Sequence, residues 1–232
     1  MDPLLIALFV LASLGGTALI AVAIRAGAKA KEAQRKMAAQ NGWQFEFVPA
    51  SGGKGSETLI SDPAEGWTLT LYSRSGSSSG SSSGSGSSVR WSMHEDPGAA
   101  IPEGMAVLGP DIPEKTAAMA DKMMGLMGGD IGRWLLDKMT GGLGEEAQGL
   151  RSVESDGPGH LMASPGAETA LDDVRFAPEL NNARAGKNEA QQPLVMRGSF
   201  GLRVRVGYLL RKPEEIEAFI ALGRALSDTA KG

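Results

Sequence analysis

From Pro3 to Ile24 the chain carries no charged residue and reads PLLIALFVLASLGGTALIAVAI. As a helix this run spans about 33 Å, enough for a hydrocarbon core of roughly 30 Å. Gly15 and Gly16 fit such a helix, because glycine is tolerated in membrane spans. A cleaved signal peptide is the rival reading, with Ala28-Lys29-Ala30 imitating a cleavage site. The length of the run and the Met1-Asp2-Pro3 start favour an anchor, since a signal peptide begins with positive charge and has a shorter apolar core.

Residues 25–41 are rich in Ala, Lys, Glu, Gln and Met, and predict a polar helix that stops at Asn41-Gly42. Period-two alternation follows. Trp43, Phe45 and Phe47 predict one strand, Trp67, Leu69 and Leu71 a second, and Val89, Trp91 and Met93 a third. Met105–Leu108 predicts a fourth, ended by Gly109-Pro110. Between the second and third lie Ser75–Ser88, fourteen consecutive Ser or Gly residues that cannot bury a core. A tolerated surface insertion is the simpler reading of this loop, and a modified or partner-binding tether the other.

The pattern then changes to helical spacing. Pro113 opens a segment in which Met119, Met123 and Met127 recur every four residues, followed by a short helix over Ile131–Met139. Such a stripe is usually core, but methionine also serves at adaptable binding surfaces, so these three are candidates for a partner surface. Beyond it, Leu161–Ala163 predicts a strand and Ala167–Val174 a helix. Leu194–Met196 and the alternating Leu202, Val204, Val206 predict a hairpin bent at Gly198–Gly201. A closing helix begins at Pro213-Glu214-Glu215, with Ile216, Phe219, Ile220 and Leu226 as its apolar stripe.

The expected organisation is an anchor at 1–24, a basic juxtamembrane helix at 25–41 and a β-rich half at 42–110 that contains the loop 75–88. A Met-rich helical segment at 111–145 and an α/β half at 146–232 complete it. The fold class is α+β: a transmembrane helix followed by a mixed, mostly antiparallel sheet domain with a C-terminal helix.

Charge sets the orientation. Arg25, Lys29, Lys31, Arg35 and Lys36 follow the span, opposed only by Glu32, and this collar of +4 places the carboxyl side in the cytoplasm and the amino terminus outside. The same five residues are candidates for contact with anionic headgroups. With a net charge of −4 and Asp2 ahead of the span, residues 37–232 carry −7. That balance argues against a nucleic-acid partner. Ala12 and Gly16, four apart, offer a close-approach face for self-association or for another membrane protein.

Candidate chemistry is sparse. There is no cysteine, and the two histidines, His94 and His160, are far apart, so neither a metal centre nor a cofactor is expected. Gly52-Gly53-Lys54-Gly55-Ser56 is not a Walker loop: the required earlier glycine is Val48, and Gly55 replaces the Ser or Thr after the lysine. Asp156, His160 and Ser164 are close in sequence, but on a strand His160 and Ser164 stand about 13 Å apart, too far for a nucleophile and its base. Arg203 and Arg205 share a strand face and, with Arg197 and Arg211, form a possible anion patch. Pairing with the acid-rich closing helix is the plainer expectation for them.

The segments SVESDGPGHLMAS (152–164), VRFAPELNNARAG (174–186), SFGLRVRV (199–206) and PEEIEAF (213–219) resemble bacterial single-pass, membrane-anchored proteins of unknown function. The resemblance covers about the last eighty residues plus the anchor, and implies a mixed α/β domain with no established activity. The leading functional expectation is a membrane-tethered, non-enzymatic interaction or accessory protein of the inner membrane. An anionic-lipid-surface module and an enzyme of unrecognised type are the alternatives.

Overall fold

The computed structural model describes residue 25 and residues 27–51, 55–74, 86–94, 104–111, 149–154 and 156–231. The expected anchor, with Ala12 and Gly16, lies outside the described residues, as do Met119, Met123, Met127 and all of the Met-rich segment after Asp111. Among the described residues no helix is long and apolar enough to cross a membrane.

Alternation along the chain produces one sheet. Its strands are β1 (Gln44–Val48), β2 (Ser56–Asp62), β3 (Trp67–Arg74), β4 (Gly86–Met93), β5 (Met105–Leu108), β6 (Arg151–Ser152), β7 (Leu161–Ala163), β8 (Leu194–Gly198) and β9 (Gly201–Val206). Their order is β1-β2-β3-β4-β9-β8-β5-β7-β6, and every pairing is antiparallel. The fold is therefore α+β with a large antiparallel sheet and a C-terminal helix, rather than a mixed sheet. Strands β3 and β4 pair from Trp67↔Met93 to Arg74↔Gly86, so the Ser/Gly stretch joins hairpin partners. By sequence β5 belongs with the first half of the chain, but in the sheet it stands between β8 and β7.

Register explains the core. Phe45, Ile60, Leu69, Trp91, Val204, Val195, Leu108 and Leu161 are successive cross-strand partners, one apolar row running across eight strands. From Ile60 onward every member is at most 1% exposed. The opposite face divides in two. Toward β5 it is apolar, with Met105, Val107, Leu150 and Met196 buried together and Met162, Leu194 and Phe200 packed on them. Toward β3 and β4 it carries Thr68, Thr70, Tyr72, Ser88, Arg90 and Ser92.

Helices cover the apolar-row face. Helix α1 (27–40) turns Gln34, Met37 and Ala38 inward. It ends where Gly42 adopts φ +76°, a left-handed C-terminal stop that glycine enters without strain. Trp43 N then donates to Ala38 O at 2.8 Å. The Trp43 ring meets Trp67 edge-on at 5.1 Å, which attaches α1 to the sheet. Two short helices, α2 (Asp172–Arg175) and α3 (Pro178–Arg184), precede α4 (Pro213–Lys231). The helix expected over 167–174 is mostly turn: Ala167 N and Ala170 N each donate three residues back, and only its last three residues are helical, in a helix that ends at Arg175.

Helix α4 begins with a carboxylate cap. Glu215 Oε2 accepts the backbone N–H groups of Arg211 and Lys212 at 3.2 and 3.3 Å, satisfying donors left unpaired at a helix start. Asn41 Nδ2 donates to Glu217 Oε1 at 2.9 Å, which ties the end of α1 to α4. The helix crosses the sheet at Gly223. A Cβ there would overlap the Trp91 ring, lying 2.6 Å from Cε3. Glycine is required by this approach, and Trp91 is completely buried as a result.

Gly223→Ala is expected to lower stability by about 1–3 kcal/mol, the usual range for overpacking a closed core. A thermal melt followed by circular dichroism, with Ala221→Ser on the exposed side of the same helix as a silent control, measures this.

Candidate functional site

A concave feature lies on the helical side, between α3, α4 and the 208–210 segment. It is a groove of about 930 Å³. Tyr208, Leu209, Phe219 and Leu222 form its apolar lining, together with Leu210 and the small side chains of α4. The groove exists because Ala218, Ala221 and Ala225 succeed one another on that side of α4, so no bulky residue fills the space beside α3. Glu179, Glu215 and Lys187 supply charge at the groove. An apolar trough between helices with charged groups beside it is the form in which proteins receive an amphipathic helix.

Two buried arginines hold the α3 side in place. Arg184, at the end of α3, donates through Nη2 to Gly109 O at 2.8 Å and to Leu108 O at 3.3 Å, which ties the helix to the end of β5. Burial holds the Arg184 guanidinium below the ordinary arginine value, an effect partly offset by the Asp111 carboxylate. Asp111 Oδ1 in turn accepts Gly159 N at 2.6 Å. Arg175, from α2, donates through Nη2 to Gly157 O and Gly159 O at 2.8 Å each and through Nε to Pro158 O at 2.9 Å. Gly159 has φ +84°, and a Cβ there would lie 2.7 Å from Gly109 O. The Asp156–Gly159 turn is thus clamped by its own chain.

The enzyme-like residues are committed to structure. Ser164 Oγ accepts Met105 N at 2.8 Å and donates to Met105 O at 3.2 Å. The ring of His160 faces Ser152 Oγ at 3.4 Å, not Ser164. Gly52, Gly53 and Lys54 lie outside the described residues; Gly55 leads into β2, and a Cβ there would lie 2.9 Å from Tyr72 Cε2.

Arg25 is exposed, and so are Lys29, Lys31, Arg35 and Lys36 on α1. Lys31 Nζ stands 3.5 Å from the centre of the Phe47 ring, and Lys36 faces Glu32 at 3.9 Å, an exposed pair of small energetic value.

The expected arginine patch is split. Arg197 lies in register with Leu202 and Ala106 on the helical face and donates to Ala170 O at 3.2 Å. Arg203 and Arg205 alternate with the buried Leu202, Val204 and Val206, and so point to the face away from α4. Pairing with the closing helix is therefore corrected by the strand's own periodicity. Arg203 stacks on Phe200, its guanidinium carbon 3.8 Å from the ring centre. Arg205 instead stands directly opposite Arg90 of β4, a neighbour that no reading of β9 alone supplies.

No family model, curated protein or solved structure matches the chain.

Arg175→Gln removes the donors of three carbonyls in one turn. We expect a loss of about 2–4 kcal/mol by urea denaturation, more than one hydrogen bond is worth, because buried acceptors are left unpaired. Arg175→Lys restores only part of it, since an ammonium cannot reproduce the guanidinium fork.

Proposed function

We propose that this protein is a single-pass inner-membrane protein, amino terminus outside, whose cytoplasmic α+β domain is a non-enzymatic interaction module. The groove between α3 and α4 is the observation that carries the reading. Its occupant is an amphipathic helix of another membrane-associated protein, with apolar residues on Leu209, Phe219 and Leu222 and a basic residue between Glu179 and Glu215. Charge supports that choice, since residues 37–232 carry −7 and would attract a basic partner segment.

The tether rests on the uncharged run Pro3–Ile24 and the basic collar that follows. Helix α1 adds a mechanical argument. It presents its basic residues outward while Met37 and Ala38 sit in the core, so a collar lying on anionic headgroups also fixes how the domain stands above them.

A photo-crosslinking residue in place of Leu222, in the full chain in native membranes, is expected to give one discrete adduct. Its attached peptide should be an apolar helix with a basic flank. The same residue in place of Ser92, on the other face of the sheet, should give none. Lack of an adduct at Leu222, or equal yield at both positions, sinks the groove as the docking surface. For the tether, a reporter active only in the cytoplasm and fused after Gly232 should be active, and one fused before Met1 inactive.

A further inference from the structure

The face of the sheet remote from the groove holds a second cavity. Arg90 of β4 and Arg205 of β9 are direct cross-strand partners there, a placement that sets their Cβ atoms about 4.5–5.5 Å apart. Two guanidinium groups so placed concentrate positive charge at one point of this face, which favours an anion there. Burial, and after it the Arg90 charge, holds the Arg205 guanidinium below its ordinary value. Arg90 Nε is buried and has no hydrogen-bond partner among the described residues. Both side chains line a cavity of about 310 Å³ whose other walls are Glu57, Thr70, Tyr72 and Ser88.

Register fixes all six on one face. Thr70 opposes Arg90, and Tyr72 opposes Glu57 on one side and Ser88 on the other. Tyr72 Oη accepts Gly55 N at 3.3 Å, an arrangement that orients the hydroxyl and leaves its proton available to donate.

We propose that this cavity binds a phosphate group carried on a small polyol. Arg90 and Arg205, which line the cavity together, take the phosphate oxygens through charge-assisted hydrogen bonds. Tyr72 and Ser88 donate hydroxyl protons to the remaining oxygens. Glu57, the carboxylate among the described wall residues, accepts a hydroxyl of the polyol and opposes a bare polyanion beside it. The cavity is large enough for a phosphate and a short polyol. The same chemistry is offered by a free polyol phosphate and by a glycerol-bearing phospholipid headgroup.

The purified full chain in detergent, titrated with glycerol 3-phosphate by calorimetry and by thermal melting, tests this. Binding with a rise in melting temperature is expected, and Arg90→Gln or Arg205→Gln should weaken it at least about tenfold. Glu57→Gln, which keeps both arginines, should raise affinity for inorganic phosphate relative to glycerol 3-phosphate.

The lipid source is separated by bilayer discs containing phosphatidylglycerol or, at equal charge, phosphatidylserine. Stabilisation by phosphatidylglycerol alone, lost in Arg90→Gln, assigns the site to the headgroup. Equal stabilisation by both lipids, unchanged in Arg90→Gln, reflects the basic collar and counts against the site. The proposal fails if neither glycerol 3-phosphate nor phosphatidylglycerol binds in an Arg90-dependent way.

Discussion

The whole architecture depends on how closely α4 lies on Trp91. An indole buried at the middle of a sheet needs a cover without a side chain, and Gly223 provides it. That approach sets the height of the helix above the strands. The height decides which α4 residues meet the sheet: Ile216, Phe219, Ile220, Leu226 and Ser227 are buried, whereas Ala218 and Ala221 are exposed. Ser227 reaches the Met93 sulfur at 2.8 Å, so contact continues beyond the tryptophan. The groove beside α3 is the outer consequence of the same placement.

The two faces of the sheet are products of one alternation. Each residue that enters the apolar row sends its neighbours to the other side, so a buried Trp91 entails Arg90 and Ser92 opposite, and a buried Val204 entails Arg203 and Arg205. On that second face the polar and apolar halves meet at Arg203, whose guanidinium lies on Phe200. A cation over an aromatic ring suits such a seam, because the ring offers an apolar body and an attractive face together. The two faces are thus coupled: a one-residue slip of β9 would bury both arginines and expose Leu202, Val204 and Val206.

Much of this was legible in the chain. The alternation of Trp67, Leu69 and Leu71, and of Leu202, Val204 and Val206, identifies both strands and their buried faces, and Pro213-Glu214-Glu215 marks the start of α4. Strand β2 was hidden because Ser56–Asp62 contributes mainly Thr58 and Ile60 to the core and follows a glycine-rich stretch that reads as a turn. The groove was hidden because alanines on α4 look like ordinary helix formers and gain meaning only beside α3. Arg90 was hidden for another reason. Its partner Arg205 is remote in sequence, and local pattern contains no information on which strands become neighbours.

Strand β9 has a consequence for the life of the molecule before it is folded. It pairs with β4 on one side and β8 on the other, and is the seam between β1–β4 and β5–β8. It also comes after all eight of the other strands in the chain, with α4 next among the described elements. Until residues 201–206 leave the ribosome, β4 and β8 each present an open edge, the kind of surface on which unfinished chains pair wrongly. Folding of the two strand groups into one body must therefore wait until residues 201–206 have been made. During that interval the acidic charge of the nascent domain keeps neighbouring chains apart.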